Sequence, residues 1–315
     1  MNKRKKQLTL LCLVAIGIVM MVTPACSREG EAPAAPASSD IVLKAFPAPA
    51  GKLLFAAKPE SGDPYDIFLL DLASEETERI TRTGSSDISP AISQQGDFVV
   101  FSSDRSQTYD IYSVTLPGGQ PNQMTAIVAD ETEPRISPDG SGVLFQTNAY
   151  GDFDIVLLDM DSGQQTRLTE ADSQETQAAW SPDGEHIAFL TDRDGDFEIF
   201  MMEKDGSTKT QLTENEYYEA SPVWSPDGKQ IAFLSRRGSG HFQVYLLNVE
   251  AGTETQLTNL PQTVNSPAWS PDGKHIAFIR ESTGGDQINV INIETKEVFL
   301  LVDAFSKYAG LTWIE

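Results

Sequence analysis

Apolar and polar residues alternate in short runs from Gly51 onward, and the runs recur with a period of about 44 residues. Each period holds four runs of four to six residues, separated by turn sequences such as Pro-Asp-Gly or Asp-Gly. Alternation with a period of two is typical of β-strands, and aspartate with glycine at the breaks is typical of tight turns. Each period therefore predicts a four-stranded antiparallel meander, and residues 51–315 hold six of them.

A phenylalanine column makes the repeat easiest to see. Its members are Phe55, Phe101, Phe145, Phe189, Phe233 and Phe278. The tetrapeptide Ser-Pro-Asp-Gly precedes this column at positions 137, 181, 225 and 270. One such sheet cannot bury both of its faces, whereas sheets stacked radially as propeller blades can, and a period of roughly 40 to 50 residues indicates that architecture. We predict an all-β fold, a six-bladed β-propeller of four-stranded antiparallel blades.

The two ends of the repeat region predict how the ring closes. The region begins with a second strand at Lys52, whereas residues 310–315 align with a first strand, because Trp313 shares a column with Trp269. Pairing these segments satisfies backbone groups that an open edge would expose. We expect the C-terminal strand to complete the first blade. The tryptophans of this column are interpreted as core between blades: Trp180, Trp224, Trp269 and Trp313.

Residues 1–25 have the pattern of a secretory signal peptide. Basic residues at 3–6 precede an apolar stretch at 8–22, which is shorter than the ~20 residues that a membrane-spanning helix needs. The segment resembles a bacterial lipoprotein signal, in which the cysteine after a small residue is lipidated, and Cys26 fits that role. Plain export with a free N-terminus is the alternative. Residues 26–50 are rich in Ala, Pro and Ser and predict a flexible tether before the propeller of residues 51–315.

The charge of the chain excludes one class of partner. It carries 46 acidic residues against 23 basic ones, a formal net charge of −23. Loss of the signal would make the mature chain still more acidic. Nucleic-acid binding depends mainly on Lys and Arg that neutralise phosphate, so we expect no nucleic-acid partner.

Four carboxylates recur at the same place in consecutive repeats, just ahead of the innermost strand. They are Asp87, Glu131, Glu175 and Glu219, and Val264 and Tyr308 replace them in the last two repeats. In an antiparallel blade, the loop leading into strand one and the loop between strands two and three lie on the same face. We therefore expect the carboxylates on one rim of the central channel, as an acidic mouth that attracts a cation or a basic peptide. The alternative is a turn residue that caps local amides.

Two further groups on that face are candidates for contact with a partner. Tyr217 and Tyr218 fall in no column, and the fifth repeat adds Arg236, Arg237 and His241, which are basic among acidic neighbours. Tyrosine and arginine are frequent hot-spot residues of protein interfaces. We place all five in the partner-binding rim, with solvated loop residues as the alternative.

The loop at residues 191–198 is a candidate calcium site. It carries the alternate carboxylates Asp192, Asp194 and Asp196, but its glycine, Gly195, is at position four of the loop rather than at position six as in an EF-hand. A tight hairpin is the other interpretation. We expect no cofactor, with calcium in this loop as the alternative.

The unit Pro-x-Trp-Ser-Pro-Asp-Gly-x-x-Ile-Ala-Phe resembles the repeat of TolB-type propellers. Its best copies are residues 222–233 and 267–278, and the resemblance covers residues 51–315. TolB is a periplasmic scaffold that binds a peptidoglycan-associated lipoprotein through its propeller, so the resemblance implies a protein-binding role. Related repeats also occur in tricorn-type and prolyl-oligopeptidase-type peptidases and in pectin-degrading lyases. We expect the family's N-terminal α/β domain to be absent here and replaced by the tether.

Motifs of common catalytic sites are missing from the sequence. It has no Gly-x-Ser-x-Gly elbow, no Walker loop, no His-Glu-x-x-His and no Cys-His pairing. We expect a non-catalytic, monomeric cell-envelope scaffold that is tethered to a membrane through Cys26, in the periplasm or at the cell surface, and binds an envelope protein or peptide at its acidic rim. The alternative is a carbohydrate-active propeller, a lyase or glycoside hydrolase that acts on cell-wall sugars.

Overall fold

Six sheets of four antiparallel strands make up the part of the chain that the computed structural model describes, residues 50–238 and 240–315. No helix occurs in that part. The predicted all-β, six-bladed propeller is confirmed. The expected signal peptide at residues 1–25, the lipidated Cys26 and nearly all of the tether at 26–50 lie outside the described residues.

Strands occupy four positions in each blade, from the channel outward. The innermost strands are β4 (Asp87–Ile92), β8 (Glu131–Ile136), β12 (Glu175–Trp180), β16 (Glu219–Trp224), β20 (Val264–Trp269) and β24 (Lys307–Ile314). The second strands are β1 (Lys52–Lys58), β5 (Phe98–Ser103), β9 (Gly142–Thr147), β13 (His186–Thr191), β17 (Gln230–Ser235) and β21 (His275–Arg280). The third strands are β2 (Asp66–Asp71), β6 (Asp110–Thr115), β10 (Asp154–Asp159), β14 (Glu198–Glu203), β18 (Gln243–Asn248) and β22 (Gln287–Asn292). The outermost strands are β3 (Thr77–Arg79), β7 (Asn122–Gln123), β11 (Gln165–Arg167), β15 (Thr210–Gln211), β19 (Thr253–Gln256) and β23 (Val298–Val302).

The C-terminal strand closes the ring. β24 pairs antiparallel with β1, so that Trp313 lies opposite Leu53 and Tyr308 opposite Ala57. β24 also contacts β4 on one side and β20 on the other, which completes a circle of innermost strands. The first blade therefore combines both ends of the repeat region, as the alignment of residues 310–315 predicted.

The phenylalanine column forms the apolar seam between blades. All six members lie on second strands and are at most 1% exposed. In the first blade Phe55 packs against Phe305 and Tyr308, with ring centres 6.0 and 5.6 Å apart. Burying such a side chain contributes about 2 to 3 kcal/mol, so the repeated phenylalanine is a main reason why the sheets stack radially.

Every innermost strand carries an irregularity at the same place. The pairing register slips in the middle of each strand, as between Ile88 and Ala91 in β4. One residue there adopts a positive φ: Ser89 (51°), Glu133 (55°), Gln177 (51°), Ser221 (51°), Ser266 (49°) and Gly310 (58°). Left-handed backbone is unfavourable for residues other than glycine, by about 1 kcal/mol or more. Five strained residues and one glycine therefore form a ring around the channel.

Candidate binding face and channel

The recurrent carboxylates begin the innermost strands at one end of the propeller, which we call the mouth face. They are the first residues of β4, β8, β12 and β16: Asp87, Glu131, Glu175 and Glu219. Their exposed fractions are 0, 0, 0 and 2%. The expectation that they line an open acidic mouth is therefore corrected. Because side chains alternate along a strand, these four point into the boundaries between blades, whereas the next residue of β4, Ile88, lines the channel.

A second buried acid of the preceding blade lies near each of these carboxylates. It begins the third strand of that blade: Asp66, Asp110, Asp154 or Glu198. Burial raises the pKa of Asp66, and the charge of Asp87 adds to the shift, whereas Arg79 opposes it. Two buried acids at one blade boundary require a positive partner when both are ionised, since an unpaired buried charge is strongly destabilising.

Loop arginines supply the positive charge in three of the four boundaries. The distances from guanidinium Nη2 to carboxylate oxygen are 2.8 Å for Arg105 and Asp87, 3.4 Å for Arg193 and Glu175, and 3.0 Å for Arg237 and Glu219. Each arginine follows its carboxylate by 18 positions. Sequence reasoning missed Arg105 and Arg193, although this constant spacing could have revealed them. Arg237, expected to contact a partner, is instead an internal counter-ion that also pairs with Glu254.

The boundary between the second and third blades has no such arginine, because Ala149 occupies the equivalent position. Among the described residues, Oε1 and Oε2 of Glu131 and Oδ1 of Asp110 have no hydrogen-bond partner. Burial raises the pKa of Glu131 to about 7, a shift that the Thr125 hydroxyl opposes and Asp110 reinforces. This boundary is therefore electrostatically incomplete.

Tyr217, Tyr218 and Arg236 form an exposed cluster on the mouth face, which we call the tyrosine patch. The tyrosines are 43 and 47% exposed, and Arg236 is also exposed. The guanidinium carbon of Arg236 lies 5.4 Å from the ring centre of Tyr218, within the range of cation–π attraction. Phe197 supports the Tyr218 ring from the side, with ring centres 6.2 Å apart. The structure thus brings three of the sequence-predicted contact residues together at the surface.

His241 lies in the loop that follows, half-buried and turned toward the next blade. Its Nδ1 is 3.2 Å from the hydroxyl of Thr263, which lies just ahead of β20. It therefore links two blades and is not part of the tyrosine patch.

The candidate calcium loop is a hairpin. The Gly195 N–H donates to the carbonyl oxygen of Asp192 at 2.9 Å, and Asp192 Oδ1 accepts the N–H of Gln174 at 2.8 Å. Asp194 is exposed and Asp196 is half-buried. Within residues 50–238 and 240–315, no group of three or more His, Cys, Asp or Glu side chains is arranged to hold a metal ion.

A channel of about 710 Å³ is lined by residues of all six innermost strands. Hydrogen bonds link its left-handed residues in pairs across neighbouring blades. Ser89 Oγ donates to Glu133 Oε1 at 2.7 Å, the Ser221 N–H donates to Gln177 Oε1 at 2.6 Å, and the Gly310 N–H donates to Ser266 Oγ at 3.2 Å. These contacts hold the strained ring in one arrangement.

One ion pair lies in the otherwise uncharged wall of the channel. Arg135 Nη2 lies 2.9 Å from Glu133 Oε2, and the two side chains are 30 and 28% exposed. Among the described residues that line the channel, these two are the only charged ones. Sequence reasoning missed the pair, although Arg135 departs from its column, whose other members are Ala91, Ala179, Val223, Ala268 and Thr312. The channel therefore presents both signs of charge at one point.

Tryptophans form part of the channel wall. Trp269 and Trp313 are buried, as expected for core between blades, but Trp180 and Trp224 are only half-buried. The indole N–H of Trp269 donates to the carbonyl of Val223 at 3.2 Å. Within the part of the chain that the structure describes, the indole N–H groups of Trp180 and Trp224 have no partner. The channel thus adds aromatic surface to its polar ring.

The closed ring of six four-stranded sheets around a central channel defines a six-bladed β-propeller. A family model, the TolB beta propeller domain, matches residues 42–178 and again residues 175–310. The chain therefore belongs to the TolB beta-propeller family, as its Ser-Pro-Asp-Gly repeats predicted. No individually curated protein matches the sequence. Of the described residues, no helix is long and apolar enough to cross a membrane.

Solved structures share the fold at low sequence identity. TolB from Acinetobacter baumannii is 21% identical with a TM-score of 0.73, over 84% of this chain and 66% of that one. A putative TolB from Agrobacterium tumefaciens is 20% identical with a TM-score of 0.66, over 85% of this chain and 99% of that one. An oligogalacturonate lyase in complex with manganese is 17% identical with a TM-score of 0.59, over 80% of this chain and 74% of that one. This chain spans just under two thirds of the Acinetobacter protein, and identities this low show the fold alone.

Proposed function

We propose that this protein is a non-catalytic scaffold of the cell envelope that binds a protein or peptide at the mouth face of its propeller. The observation that carries the proposal is the tyrosine patch. Two adjacent tyrosines and an arginine are exposed together, and these residue types dominate the energetics of many interfaces. Membership of the TolB beta-propeller family supports a binding role.

The tyrosine patch is built to be rigid before a partner arrives. Phe197 holds Tyr218 edge-on, and the Tyr218 carbonyl accepts the N–H of Arg236 at 3.1 Å. A preformed contact surface loses less conformational entropy on binding, which favours affinity. The buried carboxylates have a different part in this proposal, because with their arginines they fix the loops that present the patch.

The channel provides a second contact region for the same partner. Ser221 lines the channel and follows Tyr217 and Tyr218 by a few residues. A peptide segment that starts on the patch and enters the channel would meet the Glu133 and Arg135 side chains, which offer one acceptor and one donor of charge-assisted hydrogen bonds.

Export and anchoring complete the proposal. A lipid on Cys26 and the tether of residues 26–50 would hold the propeller at a membrane while leaving the mouth face free. A partner in the periplasm or at the cell surface is then within reach, and the propeller acts as a monomer.

Affinity capture from an envelope extract tests the proposal. The wild-type protein is compared with the double variant Tyr217→Ser and Tyr218→Ser, and with Tyr150→Ser as the matched control. Tyr150 is 56% exposed and follows β9 on the mouth face of the third blade, away from the patch. We expect the double variant to lose at least tenfold in recovery of a specific protein and the control to keep it. Equal recovery by all three would refute the patch.

A carbohydrate-active propeller is the second candidate, because oligogalacturonate lyases share this fold and half-buried tryptophans line the channel. Incubation with oligogalacturonate and with cell-wall glycans tests it through the appearance of new reducing ends. Turnover by the wild type that disappears in Glu133→Gln would favour this candidate over the scaffold. Absence of turnover would leave the scaffold as the better account.

A further inference from the structure

The boundary between the second and third blades contains two buried acids with unused oxygens. Glu131 is 0% exposed and Asp110 is 2% exposed. Three of their four carboxylate oxygens have no hydrogen-bond partner among the described residues. The fourth, Asp110 Oδ2, accepts hydrogen bonds from Ser106 and from Gln123. We infer that this boundary binds one calcium ion between the carboxylates of Asp110 and Glu131.

Comparison with the next boundary shows what is missing. There Asp154 lies 2.8 Å from Arg167, and Glu175 lies 3.4 Å from Arg193, so each acid has its own guanidinium. Between the second and third blades, Gln123 replaces the first arginine and Ala149 replaces the second. The boundary keeps both acids of its neighbour and has lost both positive charges. A bound cation restores the balance that side chains provide elsewhere.

The ligand chemistry favours calcium among the common cations. Every ligand atom that the boundary offers is an oxygen. These atoms are both carboxylate oxygens of Glu131, Oδ1 of Asp110 and the hydroxyl of Thr125, which interacts with the Glu131 carboxylate. Calcium accepts a bidentate carboxylate and irregular geometry, whereas magnesium demands a nearly ideal octahedron, which two oxygens of one Glu131 carboxylate fit poorly. Two carboxylates match a divalent charge. With so few protein ligands, we expect a dissociation constant of about 10⁻⁴ to 10⁻³ M, the range of extracellular calcium modules.

This site is distinct from the loop at Asp192 and from the channel. Glu131 begins β8 and its side chain lies inside the blade boundary, not in the lumen. Binding there would lock two blades together. The inference does not depend on the proposed function, because it concerns stability of the ring whatever partner the mouth face binds.

Thermal unfolding with added calcium tests the inference. The chelator-treated full-length protein is titrated with calcium chloride to 10 mM at pH 7.5, with magnesium chloride at equal ionic strength as the salt control. A tenfold excess over the dissociation constant should raise the Tm by about 3 °C. Glu131→Gln keeps the shape of the side chain and should abolish the rise. Glu175→Gln removes an equivalent carboxylate from a boundary that has arginines, and should keep the rise.

A gain-of-function variant makes the test independent of damage to the fold. Ala149→Arg places a guanidinium where the neighbouring boundaries have one, so it should raise the Tm without calcium and suppress the response to it. Calorimetric titration should detect calcium binding to the wild type and not to Glu131→Gln or Ala149→Arg. The inference is overturned if calcium stabilises wild type and Glu131→Gln equally, if magnesium acts as well as calcium, or if only a fall in pH stabilises the wild type, which would show a proton in place of the ion.

Discussion

At the scale of single residues, the buried acid at one position of the repeat is paired with an arginine in one blade and lacks an arginine in the next. Asp87 and Glu131 occupy the same position of the repeat and are equally buried, but only Asp87 has an arginine. The sequence predicted the position and the face, whereas exposure could not be predicted. A shift of one residue at a strand start moves a side chain from the lumen to the boundary between blades, and nothing in the repeat marks that residue.

Removing a loop arginine should be costly where it faces a buried carboxylate. Arg193→Ala leaves Glu175 buried without its guanidinium partner, and breaking such a pair costs about 3 kcal/mol when both partners are buried. Because Arg193 is 31% exposed, we expect a loss of roughly 2 kcal/mol in the free energy of unfolding, measured with urea. Lys204→Ala is the control, since Lys204 and Glu185 are both 56% exposed and should contribute little. Equal effects of the two substitutions would contradict the structural role of the arginine column.

Metal-free protein should become less stable as the pH rises. Burial raises the pKa of Glu131 and of Glu219 from the ordinary 4.5 to about 7. Between those values the folded state holds protons that the unfolded chain has released, so stability falls as the pH rises from about 4.5 to 7. We expect a lower Tm at pH 8 than at pH 6, and a smaller difference in Glu131→Gln, which lacks the Glu131 contribution and keeps that of Glu219. An unchanged difference in that variant would exclude Glu131 as a source.

At the scale of elements, strands were predictable and bulges were not. Apolar alternation and the turn tetrapeptide located the strands, and the C-terminal strand was correctly assigned to the first blade. The bulge in each innermost strand could not be recognised from the sequence. Five of the six residues with left-handed backbone are not glycine, which normally marks that conformation, as Ser89, Glu133 and Gln177 illustrate. Only Gly310 fits that rule. The polar ring of the channel was missed for this reason.

Deletion of residues 310–315 should open the propeller. It removes most of β24, which pairs with β1 and contacts both neighbouring innermost strands. The first blade would lose its inner strand, and the edge of β1 would be exposed. We expect a lower Tm and a broader transition by differential scanning calorimetry. Deletion of Glu315 alone, which lies beyond β24 and is exposed, should leave melting unchanged. A cooperative transition at the wild-type Tm after the longer deletion would contradict closure by this strand.

At the scale of the whole molecule, regular columns build the ring and departures from them mark the candidate sites. Arg135 stands in a column of uncharged residues, Ala149 replaces an arginine, and Tyr217 and Tyr218 belong to no column. The 44-residue period of the sequence could reveal the fold because similar repeats pack in the same way. It could not reveal which departures are surface contacts and which are buried substitutions, since that depends on burial across blades that are far apart in sequence.

Photo-crosslinking in intact cells is the most direct measurement of partner binding at the mouth face. A photoreactive amino acid is placed at Tyr218 in the tyrosine patch, and in a parallel strain at Lys229, an exposed residue in a Ser-Pro-Asp-Gly hairpin at the opposite end of the propeller. We expect one envelope protein to be captured from position 218 and not from position 229. Capture of the same proteins from both positions, or of none from position 218, would contradict a binding site at the mouth face.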